Sequence, residues 1–189
     1  SLNPGQLYYF KAWANNSAGF SNGSELKFLT KPNVPTNFEA TTINSKSINL
    51  SWTKGTGANN TYIERNTSST WTIGQGIEIY NSTGTTYTNT DLSEGTRYYY
   101  QAWSYAEWSN INHYSDSYAS SNNKTNNEPE ISLINPSPNG TIEIETTPQC
   151  SILANDTDGD NLNIYWYENT TGSYQKRNTN NSETANSTV

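Results

Sequence analysis

One stretch of this chain is written twice. Leu2-Asn3-Pro4-Gly5-Gln6-Leu7-Tyr8-Tyr9-Phe10-Lys11-Ala12-Trp13 returns as Leu92-Ser93-Glu94-Gly95-Thr96-Arg97-Tyr98-Tyr99-Tyr100-Gln101-Ala102-Trp103, with every matched residue displaced by 90 positions. The shared core is L-x-x-G-x-x-Y-Y-(F/Y)-x-A-W. A constant offset marks a copied structural unit, and about 90 residues is the size of one small β-sandwich. The first copy opens the chain, so most strands of its own unit are expected to be absent from the sequence.

Composition fits thin cores built from large rings. Of 189 residues only 31% are hydrophobic, yet 13% are aromatic, including 14 Tyr and 6 Trp. Disordered chains are poor in such residues. No apolar run approaches the roughly 20 residues of a membrane-spanning helix. The chain begins on Ser1, so a targeting segment, if there is one, is expected upstream. A net charge of -7 with 10 Lys and Arg repels nucleic acid and excludes it as a partner. The single cysteine, Cys150, rules out an intrachain disulfide and reads as a small apolar group in a strand. Twelve N-x-(S/T) sites begin at Asn15, Asn22, Asn49, Asn59, Asn66, Asn81, Asn123, Asn139, Asn155, Asn169, Asn180 and Asn186. Two readings stand: Asn-rich composition alone, or a heavily glycosylated extracellular surface.

Residues 1–31 read as a corner, a strand from Leu7 to Ala14, a turn at Ser17 to Phe20, and a strand from Glu25 to Thr30. Pro32 and Pro35 then bracket an extended linker. In the middle segment Ile48, Leu50 and Trp52 alternate with Ser47, Asn49 and Ser51, the period of a half-buried strand. Further short strands are expected at Thr61 to Arg65, Gly76 to Tyr80, Thr85 to Thr88, Arg97 to Tyr105 and Tyr114 to Tyr118. No helical stripe interrupts them, which predicts a sandwich.

Pro35-Thr36-Asn37-Phe38, Ile48 to Trp52, and Leu92-x-x-Gly95-x-x-Tyr98 together resemble a fibronectin type III domain. The resemblance covers about two thirds of the chain: residues 1–31 as a partial copy and 35–126 as a complete one. It implies that Trp52 lies in the core and that Tyr98, like Tyr8, forms a tyrosine corner bonded to backbone a few residues upstream. Two departures are visible: Glu94 stands where the family usually has Pro, and Glu107 to His113 lengthens the turn after the sixth strand. From Glu128 on, Pro138-Asn139-Gly140-Thr141, Ile142-x-Ile144 and Asp156-Thr157-Asp158-Gly159-Asp160-Asn161 before Leu162 to Tyr167 look like Ig-like modules of archaeal and bacterial surface proteins. The expected fold is an all-β tandem truncated at both ends. Its expected divisions are 1–31, 32–126 and 127–189.

Three groupings bear on function. Asp156, Asp158, Asp160 and Asn161 offer oxygen ligands that suit calcium, against a tight turn in which Asp and Asn bond their own backbone and Gly159 supplies positive φ. If Tyr98, Tyr100 and Ala102 face the core, then Tyr99, Gln101 and Trp103 face outward, as do Tyr9, Lys11 and Trp13 in the first copy. Trp71 and Trp108 add rings from loops. Such rings stack on sugars or receive another protein, against plain cross-strand packing. Enzymatic readings fail: His113 sits in a polar loop away from Cys150, and Glu64 and Glu78 read as ordinary carboxylates on a solvated sheet.

The reading that follows is a non-catalytic extracellular or cell-surface segment that spaces, presents or adheres. It needs no cofactor unless the aspartate turn binds calcium, and its partners are other proteins or cell-surface glycans. The alternatives are an accessory glycan-binding module of a secreted hydrolase and a calcium-stiffened adhesin or surface-layer segment. Incomplete end units would also expose strand edges for self-association.

Overall fold

The computed structural model describes residues 1–135, 151–169, 172–183 and 187–188. The expected strand at Ile142 to Ile144 and the expected apolar setting of Cys150 lie outside the described residues. All described elements are strands, joined by turns and loops. The chain divides into two compact units, Ser1–Thr125 and Asn126–Val189. Residues 1–31 thus belong to the same unit as the middle segment.

The first hairpin is broken in two. β1 (Leu7–Phe10) pairs with β4 (Leu26–Leu29), and β2 (Trp13–Asn16) pairs with β3 (Gly19–Asn22). The single strand expected from Leu7 to Ala14 is interrupted because Gly23, Ser24 and Glu25 stand opposite only Lys11 and Ala12. One surplus residue shifts the register, as a bulge does, and the Gly23 amide donates to the Ala12 carbonyl across the gap at 3.0 Å.

The middle segment is a two-sheet sandwich. β5 (Thr36–Asn44), β6 (Ser47–Thr53) and β9 (Thr86–Asn89) make one sheet in the order β5-β6-β9. The other joins β7 (Asn60–Asn66), β8 (Ile77–Ser82), β10 (Arg97–Trp108), β11 (Ile111–Tyr114) and β12 (Ala119–Lys124). Here β10 is central, with β7 on one side and β11 and then β12 on the other. The period-2 pattern of β6 is realised: Ile48 and Leu50 are wholly buried and Trp52 is 5% exposed, while Asn49 and Ser51 are half-buried. These pack with Phe38, Ile63, Leu92, Tyr98 and Tyr100. The Trp52 indole donates to Thr61 Oγ1 at 2.9 Å, which satisfies its one polar group inside the core.

Two expectations for the last strands are corrected. Glu107 to His113 is no lengthened loop but a β-hairpin whose two turn residues, Ser109 and Asn110, have φ of 49° and 66°. Positive φ at both positions matches the right-handed twist of the flanking strands. The last long strand runs Ala119–Lys124 rather than Tyr114 to Tyr118, because four residues bulge out after Tyr114 where Ser115 and Ser104 exchange bonds of 2.9 and 3.1 Å.

The duplicated motif forms the same corner twice. Tyr8 Oη accepts from the Asn3 amide at 2.9 Å, and Tyr98 Oη accepts from the Ser93 amide at 3.0 Å. A threonine that the motif does not contain completes each corner. The Thr30 hydroxyl donates to Asn3 O and accepts from the Gln6 amide, at 2.7 and 2.9 Å. The Thr125 hydroxyl donates to Ser93 O and accepts from the Thr96 amide, at 2.6 and 3.0 Å.

The two copies meet backbone to backbone. A Cβ on Gly5 would lie 1.9 Å from the Gly57 carbonyl oxygen, and one on Gly57 would lie 2.2 Å from that of Pro4. Both glycines also hold positive φ, 59° and 82°, where a side chain is strained. The Asn33 amide donates to Thr56 O at 3.0 Å, Trp108 Nε1 to Gly5 O at 3.1 Å, and Lys31 pairs with Asp116. Pro32 and Pro35 are buried, so the linker lies against the fold.

In the second unit β13 (Glu130–Asn135), β14 (Ser151–Asn155) and β17 (Ser187–Thr188) form one sheet, while β15 (Leu162–Glu168) pairs with β16 (Gln175–Glu183). Ile152, Ala154, Leu162 and Ile164 form its described core.

Candidate functional site at the outer sheet face

The outward side chains of β10 stand in a row, Tyr99, Gln101 and Trp103, opposite Asn66, Glu64 and Tyr62 of β7. Their direction is as expected, but their exposure is not. Trp103 is 5% exposed and Gln101 1%. Trp103 is enclosed by Tyr118 and Tyr62, with ring centroids 5.3 and 6.1 Å away. Tyr114 packs on Tyr62 at 5.4 Å. This face therefore carries its own aromatic layer, which removes Trp103 from any exposed contact surface. Tyr99 and Trp71 remain half-buried side by side along one cleft, whereas Trp108 is 47% exposed at the far tip of β10. In the first copy Tyr9 and Trp13 are exposed, and Lys11 Nζ sits 5.2 Å over the Trp13 ring.

Glu64 is not a solvated surface carboxylate. It is fully buried, because residues 67–76 fold back across the sheet and deliver donors to it. Oε1 accepts from Tyr62 Oη at 2.8 Å and the Gly74 amide at 2.6 Å. Oε2 accepts from Trp71 Nε1 at 2.8 Å and the Gly76 amide at 3.0 Å. Four uncharged donors spread over both oxygens satisfy the anion without a cation. Gly76 is needed for this approach, since a Cβ there would fall 2.7 Å from Trp71 Nε1 and 2.8 Å from Glu64 Cβ. The carboxylate acts back on its neighbour: burial, then the hydrogen bond to Glu64 and its charge, push the Tyr62 phenol upward from its ordinary value. Nothing in the strand pattern around Glu64 distinguishes it from Glu78. The signal was the indole and two glycines seven to twelve residues downstream.

Trp71 is thus held by Glu64 as one wall of a cleft of about 240 Å³, lined also by Ser69, Tyr99, Gln101, Ser120 and Asn122. No lining side chain carries a charge.

In the second unit the aspartates do not converge on a common point. Asp156, 5% exposed, accepts from the amides of Asp158, Gly159 and Asp160 at 2.9, 3.1 and 3.4 Å. Asp158 accepts from Asn127 through both its amides, and Asp160 from Asn126 Nδ2 at 3.3 Å. With Gly159 at φ 81°, this is the self-bonded turn. Among the described residues no group of three or more His, Cys, Asp or Glu is placed to hold a metal ion. His113 lies on β11, half-buried, rather than in a polar loop.

Some N-x-(S/T) sites have structural uses. Thr61 is the acceptor beneath Trp52, and Thr125 locks the second corner. Asn123 donates its amide to Ala40 O at 3.0 Å. Asn15, Asn22, Asn59, Asn81 and Asn169 are exposed.

The strand order β5-β6-β9 against β8-β7-β10 and β12, with a bonded tyrosine corner, defines a sandwich of fibronectin type III topology. The solved structures to which the chain is similar include fibronectin type III domains. A Fn3-like protein from Clostridium thermocellum is 29% identical, with a TM-score of 0.39, over 48% of this chain and 90% of that one. FN3tt is 20% identical, with a TM-score of 0.39, over 50% and 94%. The FN1-FN3 domains of chicken CNTN1 are 16% identical, with a TM-score of 0.42, over 66% and 44%. The sheet order and the bonded tyrosine corner define the fold. No family model and no curated protein matches the chain.

Proposed function

We propose that the chain is a non-catalytic extracellular or cell-surface segment that spaces and presents neighbouring domains of a larger protein. The observation that carries this reading is the joint between the first corner and the middle sandwich, at the Gly55–Ala58 loop and the far tip of β10. Gly5 against Gly57, Trp108 on Gly5, Asn33 on Thr56 and the buried prolines 32 and 35 fasten one copy to the next through backbone. A fastened joint resists bending, which a spacer requires and a loosely tethered module does not. The commitment of Glu64 to a loop-holding role supports the non-catalytic reading, and the exposed Asn15, Asn22, Asn59, Asn81 and Asn169 support an outward-facing, glycosylated surface.

Two measurements test it. Pulling the full chain between handles should show a force peak that releases about 300 Å of contour, from roughly 90 residues at 3.3–3.6 Å each. Extension without a peak refutes a load-bearing role. Antibody against the chain should stain intact source cells; staining only after lysis refutes the surface location.

A further inference from the structure

One buried side chain on the outer sheet face is left without a hydrogen-bond partner. Both atoms of the Gln101 carboxamide, Oε1 and Nε2, lack a hydrogen-bond partner although the residue is 1% exposed. Its neighbours are engaged elsewhere. Glu64, its partner in register, accepts four other donors, and Asn122 accepts from Arg97 at 2.6 Å. Buried polar groups are almost always bonded, so an amide with two orphaned atoms calls for a partner. The Gln101 side chain forms part of the wall of the cleft between Trp71 and Tyr99.

We propose that this cleft binds a saccharide ring, with Gln101 as the hydrogen-bonding anchor. A carboxamide offers a donor and an acceptor side by side, and two adjacent ring hydroxyls present the complement. The half-buried Trp71 and Tyr99 supply ring faces for the C–H face of a sugar, and Ser69, Ser120 and Asn122 supply further hydroxyl and amide groups at the rim. The uncharged lining gives a charged ligand no partner. A peptide strand finds no edge there, because β10 is paired by β7 on one side and β12 on the other. The volume of about 240 Å³ lies below the roughly 300–1,000 Å³ of drug-sized pockets and suits one sugar unit. Each amide atom is nearly sealed, and with Trp71 held by Glu64, entry requires the Tyr99 ring to turn aside and lays the sugar on the indole. Binding therefore reports itself in indole fluorescence. The spacer reading does not require this site, and the two fail separately.

The test is titration of the full chain with cellohexaose, chitohexaose and mannohexaose, each up to about 10 mM. Side-chain amide NMR signals and tryptophan fluorescence are read together, and Gln101 is assigned by the signal lost in Gln101→Leu. At least one sugar should move the Gln101 signal saturably, with a Kd of about 0.1–1 mM. Gln101→Leu should weaken that binding at least tenfold without lowering Tm, and Tyr99→Ala should weaken it as well. Absence of a saturable shift with all three sugars overturns the proposal. So does Gln101→Leu binding as tightly as the parent.

Discussion

Replacing Glu64 with glutamine keeps the shape of the side chain and removes its charge and one acceptor. The new amide has two orientations. With its nitrogen at the Oε2 position it faces Trp71 Nε1 and the Gly76 amide, neither of which can accept. With its nitrogen at the Oε1 position it faces Tyr62, whose hydroxyl rotates to accept, and the Gly74 amide, which cannot. The second orientation wins, and it orphans one backbone donor at about 1–3 kcal/mol. The bonds from Trp71 and Gly76 survive but lose their charge assistance, each weakening by about 1 kcal/mol. Removing a desolvated charge offsets part of this loss. The net expectation for Glu64→Gln is a destabilisation of about 2–4 kcal/mol. Urea titration with unchanged slope measures it. A double-mutant cycle with Trp71→Phe should show coupling of about 0.5–3 kcal/mol, since the two share a bond. A change within about 0.5 kcal/mol, the size of an ordinary surface substitution, would show that the carboxylate is in water and that the loop is not held by it.

Four further expectations are open to measurement. Trp52→Ala should cost about 3–5 kcal/mol, the range for emptying an aromatic site in a core, and a loss below about 1 kcal/mol in denaturant would contradict its placement. Thr125→Val should cost about 1–3 kcal/mol by orphaning the Thr96 amide and the Ser93 carbonyl; an unchanged midpoint would show the corner to be held by Tyr98 alone. Burial raises the Tyr100 phenol to about 12, and Tyr62 is raised too. The unfolded state releases these protons first, near pH 10, so stability should be flat below that and fall as pH rises toward 12; spectrophotometric titration showing every tyrosine ionised by pH 10.5 would refute the shifts. Calcium at about 1–5 mM, ample for an extracellular module, should leave Tm unchanged because Asp156 faces backbone amides; a rise of several degrees would reinstate the metal site.

The sandwich was legible because its signals are local or periodic. Alternation at Ile48, Leu50 and Trp52, and the repeated L-x-x-G-x-x-Y, each report their own burial or bond within a few residues. The corner threonines were not legible. Thr30 and Thr125 stand 24 and 29 residues beyond the amides they serve, and the hairpin between differs by five residues, so no fixed spacing connects them. The outward row of β10 was legible in direction and wrong in exposure, because alternation says which face a side chain takes and not what lies on that face. Trp103 is covered by Tyr118 from the bulge after β11 and by Tyr62 of β7, and Glu64 by a loop whose fold depends on Glu64 itself. A layer assembled from distant segments leaves no period behind.

The contact between Gly5 and Gly57 has a mechanical consequence. Side chains at a seam act as bearings, since they change rotamer and let the halves slide. Peptide planes touching directly leave no such play, and a twist applied to the Leu2–Gly5 turn is handed straight to the Gly55–Ala58 loop that feeds β7. A single methyl added to either glycine would wedge that seam open.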